Sequence, residues 1–170
     1  GEVSSEKYVD IQSTVRKTIA EIGYTKSAYK FEAESCGILT ALHEQSADIA
    51  RGVDGLGTEN VGEQGAGDQG MMFGYASDET ENYMPLTLDL AHTLVYTLAR
   101  VRKEGEEMLY LRPDSKSQVT MEYSEEGEPL RIDTIVVSTQ HDEDVTQDQI
   151  KADIQRVLLP RVAKRDARYA

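Results

Sequence analysis

Apolar positions fall into helical spacing in three stretches of the chain and into alternation in three others. Ile11, Val15, Ile19 and Ile22 lie four, four and three residues apart, which is one face of an α-helix. Asp10 stands where a cap belongs and Gly23 where a helix stops. A second helix is expected from Pro85, with Leu90, Ala91, Leu94, Val95, Leu98 and Val101 as its buried stripe and Gly105 at its end. His92 lies beside that stripe as a partly buried polar residue. A third helix opens on the capping box Thr146-x-x-Gln149, turns Ile150, Ile154, Val157 and Leu158 inward, and ends at Pro160.

Residues 35–43 alternate instead. Cys36, Ile38, Thr40 and Leu42 share one face, and Gly37, Leu39, Ala41 and His43 the other. Both faces are largely apolar, which predicts a strand covered on two sides. Gln118–Ser124 and Leu130–Gln140 read as a β-hairpin, with Glu125-Glu126-Gly127-Glu128-Pro129 as its turn. Gln45 to Gly70 has no period at all, and a loop that long in a compact domain is expected to be a lid. The order helix, strand, lid, helix, hairpin, helix predicts an α+β fold with helices packed on mixed or antiparallel sheets. We divide it into one α+β portion over 1–70 and a second over 71–170.

Composition narrows the function classes. The chain has 170 residues, 31 of them acidic against 18 Lys and Arg, for a net charge of −13. That balance argues against general nucleic-acid binding, which needs basic surface. It leaves room for a nucleotide, because a triphosphate needs only a few local cations. No apolar run approaches the roughly 20 residues of a membrane helix, so no membrane partner is expected and the cytoplasm is the expected compartment. Cys36 is the lone cysteine and is read as a buried structural thiol. The opening Gly1-Glu2-Val3 and the basic segment after Pro160 are both expected to be boundaries within a longer protein.

Candidate chemistry starts with Gly65, Gly67 and Gly70, a literal G-x-G-x-x-G. A dinucleotide turn needs a buried strand before it, and the acidic, glycine-bearing residues 55–62 do not provide one. The run reads as a bend that allows close backbone approach and presents one carboxylate, Asp68. In Arg112-Pro113-Asp114-Ser115-Lys116-Ser117-Gln118, Pro113 holds Asp114 near Lys116 at a strand entrance, so a carboxylate for a ribose or amine stands beside an ammonium for phosphate. Gln45-Ser46-Ala47-Asp48-Ile49 leaves the apolar strand for the loop, a favoured binding position. Ser138, His141 and Asp142 are close in sequence, but adjacency is not triad geometry. His43, His92 and His141 are scattered, and no run has metal-ligand spacing.

The string from Gln64 to Ala76 closely resembles the signature of the S-adenosylmethionine synthetase (methionine adenosyltransferase) family. Tyr8-Val9-Asp10-Ile11, Ile22-Gly23-Tyr24, Gln45 to Ile49, Leu111 to Val119 and Ser138 to His141 resemble the same family in the same order. The similarity covers nearly all of this chain and less than half of the family's usual length. It implies part of a three-domain pseudo-symmetric fold, active as a homodimer or dimer of dimers, that forms S-adenosylmethionine from ATP and L-methionine by sulfur attack on C5′, with triphosphate released and hydrolysed. It implies methionine contacts from Glu2, Gln45 and Asp68, ATP contacts from Asp114, Ser115 and Lys116, and a gating loop running Gln45, Ser46, Ala47, Asp48, Ile49, Ala50, Arg51, Gly52, Val53, Asp54, Gly55 within the lid of about 45–64. Mg²⁺ and K⁺ are the implied cations, with ligands outside this chain: the family's G-H-P-D-K motif would precede Gly1 and its Lys/Arg-bearing glycine segment would follow Ala170. The chain is therefore expected to be a fragment, inactive alone. The alternative is a non-catalytic acidic interaction module that keeps part of the fold.

Overall fold

In the computed structural model, which describes residues 1–54, 65–67 and 69–163, the core is built on one helix. We number the elements in chain order: β1 (Glu2–Val3), α1 (Ile11–Ile22), β2 (His43–Glu44), α2 (Ala47–Val53), α3 (Leu86–Glu104), β3 (Leu111–Tyr123), β4 (Pro129–His141), α4 (Gln147–Asp153) and α5 (Leu159–Ala163). A 3₁₀ turn covers Ser27–Tyr29, and a π-helical turn, Ile154–Leu158, joins α4 to α5. Helices and a small antiparallel sheet make this an α+β chain.

The stripe on α3 is buried as its spacing predicts, with Leu90, Leu94, Leu98 and Val101 almost fully enclosed. Met108, Leu111, Val157, Leu158 and Val162 complete the cluster, and Val119, Ile132, Ile135 and Val137 of the hairpin close over it. Each such aliphatic side chain contributes about 1.5–3 kcal/mol on leaving water. Pro85 cannot cap α3 with its own side chain. Instead the Leu86 N–H donates to Glu79 Oε2 at 2.6 Å. Gly105 ends the helix in the left-handed region, at φ +67°. His92 is exposed rather than partly buried, because the inward positions next to it belong to Thr93 and Leu94.

Three other expectations are corrected. The first hairpin strand starts at Leu111, seven residues before Gln118, and the second runs from Pro129 to His141. Pro113 is tolerated inside β3 because the ladder steps from the Leu111–His141 pair to the Ser115–Thr139 pair, an irregularity that asks no N–H of it. Residues 35–43 do not form a covered strand. Only His43 and Glu44 pair, in parallel with Glu2 and Val3, while Leu39 is fully exposed and Leu42 half exposed. The face carrying Leu39 is uncovered, while Cys36 and Ile38 on the other are half-buried, with Arg16 of α1 against Cys36.

The last helix does not end at Pro160. Leu159 N–H donates to the Ile154 carbonyl, five residues back, and this wider turn accommodates a proline that lacks its own N–H and would crowd an α-helical carbonyl. Thr146 caps α4 as expected, accepting from Gln149 N–H at 3.2 Å. Arg161 and Arg156 then tie the far end of this helical segment to Glu104 and Glu107, and Arg156 also to Asp153. Burial and the neighbouring Asp153 carboxylate raise the Tyr110 hydroxyl well above its ordinary range, so it serves as a donor to Asp153 at 3.0 Å.

Candidate functional site

The short β1–β2 pair sets the first cluster. The Gly1 ammonium donates to the Ala41 carbonyl at 2.7 Å, and His43 N–H donates to the Gly1 carbonyl at 2.9 Å. This puts Glu2 opposite His43, with its carboxylate accepting from Ser46 N–H at 3.2 Å. Glu2 and Gln45 are thus gathered at one end of the parallel pair, Gln45 half-buried and Glu2 exposed.

The stretch after Gln45 is not irregular throughout. Ala47–Val53 is helical, with Ser46 Oγ accepting from Ile49 N–H, Asp48 in the first turn and Arg51 in the last, charges that suit the helix dipole at both ends. The Ser46 cap was the legible signal for it. The glycine bend meets this helix: a Cβ on Gly65 would lie 2.3 Å from the Gly52 carbonyl oxygen, so the close approach asked of the bend is made against α2. Gly55, the remainder of the lid to Gln64, and Asp68 lie outside the described residues.

Asp114, Ser115 and Lys116 form the second cluster, inside β3 rather than ahead of it. The Lys116 ammonium stands 3.5 Å from the Asp114 carboxylate, and both side chains are more than half exposed. An ion pair of this kind is worth little by itself, so its charges are available to a ligand. Ser117 Oγ donates to the Ala91 carbonyl at 2.7 Å and anchors the strand to α3. Arg112 Nε donates to Asp142 Oδ1 at 2.8 Å, and its guanidinium lies 5.0 Å from the centre of the Tyr29 ring. Sequence reasoning missed Tyr29 and Arg112 as partners, since 83 positions of chain separate them.

The Ser138-His141-Asp142 set does not assemble into a triad. His141 Nδ1 is 2.7 Å from the Asp142 backbone carbonyl, the Asp142 carboxylate is engaged by Arg112, and Ser138 lies in β4 opposite Lys116 with no hydrogen bond to His141 among those of the described residues. Cys36 is half-buried. Its sulfur and the Ala33, Glu34 and Cys36 carbonyls surround the Arg16 guanidinium. Among the described residues no three His, Cys, Asp or Glu side chains are grouped to hold a metal ion, and no helix is long and apolar enough to cross a membrane.

The family model for the central domain of S-adenosylmethionine synthetase matches residues 63–169, and that for the N-terminal domain matches residues 1–47. The chain belongs to the S-adenosylmethionine synthetase family. It is 58% identical over its full length to an S-adenosylmethionine synthase of Flavobacterium psychrophilum, and 59% identical over 95% of its length to one of Porphyromonas gingivalis. A Cytophaga hutchinsonii S-adenosylmethionine synthase is 56% identical over 99% of it. The chain spans about 41% of the length of each of these relatives. Membership in the S-adenosylmethionine synthetase family leaves the acidic interaction module with no observation in its favour.

Proposed function

We propose that this chain supplies the N-terminal and central parts of a methionine adenosyltransferase, which forms S-adenosylmethionine from ATP and L-methionine. The observation that carries this reading is the 58% identity, sustained along the whole chain, to an S-adenosylmethionine synthase. In the reaction a lone pair on the methionine sulfur forms a bond to C5′ of ATP. The C5′–O bond breaks, and its electron pair leaves with triphosphate. Water then cleaves one P–O–P link, giving pyrophosphate and phosphate. Such a displacement requires alignment of sulfur with carbon and positive charge near the departing oxygens, rather than a strong base.

Glu2, Gln45 and Asp68 take the polar end of methionine, the Glu2 carboxylate suiting the substrate ammonium. Asp114 accepts from a ribose hydroxyl or amine, Ser115 stands between, and Lys116 meets phosphate. Gln45 to Gly55 is the gating stretch, α2 moving with it to exclude water. We place the domain boundary near residue 70. Mg²⁺ and K⁺ belong to the full-length enzyme. Among the described residues no three His, Cys, Asp or Glu side chains are grouped to hold a metal ion, and no step is routed through either cation. The enzyme is a homodimer or dimer of dimers, cytoplasmic, with small-molecule substrates and neither nucleic acid nor membrane as partner.

The test is to incubate the full-length protein with ATP and methionine and quantify S-adenosylmethionine, pyrophosphate and phosphate. Equimolar formation of all three is expected, and residues 1–170 alone are expected to form none. A folded full-length protein that yields no S-adenosylmethionine would overturn the reading.

A further inference from the structure

We propose that Arg112 is a positioning residue for the nucleotide half of the site, and that it acts through Tyr29 and Asp142. The inference rests on the ATP assignment of Asp114, Ser115 and Lys116.

The β3–β4 ladder matches Leu111 with His141 and next Ser115 with Thr139. Arg112, Pro113 and Asp114 therefore face a single residue, Gln140, and Pro113 has no N–H to offer. Regular pairing does not set the direction of the backbone that presents Asp114. A side chain does. Arg112 is only 16% exposed; its Nε donates to Asp142 Oδ1 at 2.8 Å, and its planar cation lies over the Tyr29 ring. Tyr29 ends the 3₁₀ turn of Ser27–Tyr29, and Lys30 follows in the left-handed region at φ +64°, so the ring is presented by a tight local turn of the N-terminal portion.

An aromatic face from one portion and a carboxylate just past β4 thus hold one guanidinium. That guanidinium holds the irregular stretch of β3, and Ser117 on Ala91 holds the strand beyond it. The nucleotide cluster is set by the N-terminal portion without a ligand contact from Tyr29 or Arg112. Lysine cannot replace Arg112, because a single ammonium lacks the planar fork that lets one group stack and donate together.

The test uses the full-length protein. Initial rates are measured against ATP at saturating methionine, and against methionine at saturating ATP, for Tyr29→Leu, Tyr29→Phe, Arg112→Lys and Asp114→Asn, with thermal midpoints for each. Tyr29→Leu and Arg112→Lys are expected to raise KM for ATP about two- to thirtyfold with KM for methionine unchanged. Tyr29→Phe keeps the ring face and is expected to restore KM for ATP. An unchanged KM for ATP in both variants, or a joint rise of both KM values with a falling thermal midpoint, overturns the positioning role. Asp114→Asn separates this inference from the reading beneath it. If Asp114→Asn leaves KM for ATP unchanged, the nucleotide assignment falls and the inference with it. If Asp114→Asn raises KM for ATP and the Tyr29 and Arg112 variants do not, the positioning role alone falls.

Discussion

Arg102 donates from its guanidinium to the carbonyl oxygen of Ile22 at 2.7 Å, so a side chain of α3 closes the C-terminal end of α1 across 80 positions of sequence. Gly23 makes the contact possible. Its φ is +121°, and a Cβ there would lie 2.3 Å from Arg102 Nη1. Gly23→Ala is expected to cost about 1–3 kcal/mol, mainly through backbone strain. Adding Arg102→Ala removes the collision and leaves the strain, so most of the loss persists in the double variant. Urea midpoints of the three proteins check this.

Glu79 provides the cap that Pro85 cannot. Glu79→Ala leaves the Leu86 N–H without that acceptor and is expected to cost about 0.5–2 kcal/mol, whereas Glu79→Gln keeps an acceptor oxygen and most of the stability. Tyr123 reports on the same carboxylate: burial, and then the charge of Glu79, hold its hydroxyl above the ordinary value of 10. Glu79→Gln lowers the Tyr123 pKa, which an ultraviolet titration reads directly.

The Arg161 bridge to Glu104 has a pH signature. The Arg161 hydrogen bond is the main cause that holds the Glu104 carboxyl below its ordinary value of 4.5. A folded-state pKa lowered in this way adds stability above the unfolded value, and that stability is lost as pH falls through the folded one. Arg161→Ala is therefore less stable than the parent protein at neutral pH and equal to it in strong acid. The gap closes below about pH 4.5 and narrows with added salt. Thermal midpoints across that range test the sign.

Gln140 Oε1 is buried with no hydrogen-bond partner, opposite the irregular stretch of β3. An acceptor left in that state costs about 1–3 kcal/mol, and an apolar replacement of similar shape is close to neutral or better. Gln140→Met is expected to match or exceed the parent protein in thermal midpoint. A clear loss of stability would show that the oxygen has a partner in solution.

Much of this fold was legible where one residue carries one local rule. Asp10 and Thr146 open their helices with side-chain oxygens, Gly23 and Gly105 close theirs at positive φ, and the α3 stripe buries the leucines its spacing selects. The failures share another cause. The alternation at 35–43 encodes a strand only if something covers it, and a local pattern does not say what does. Pro160 stops an α-helix, but a π turn five residues long avoids the conflict, and no composition marks it. The β3 start at Leu111 was hidden by Pro113, which an irregular ladder tolerates. Glu2 and Gln45 meet through a two-residue pairing 41 positions apart, and the Tyr29–Arg112 stack spans twice that distance; neither is written in any window of sequence. Family resemblance named Glu2 and Gln45 without periodicity, and the Tyr29–Arg112 contact emerged only from the structure.

Among the described apolar residues that are buried, only Ala33 precedes Leu86. The N-terminal third is therefore attached by directional contacts, from Arg102 to Ile22 and from Arg112 to Tyr29, more than by enclosure in a core of its own. That has a consequence during synthesis. Residues 1–54 are synthesised before α3 and β3, and among the described residues they have little to fold onto until those elements have followed. The same asymmetry predicts backbone amide exchange in this chain: α1 is expected to exchange by local opening, and the amides of α3 only on global unfolding.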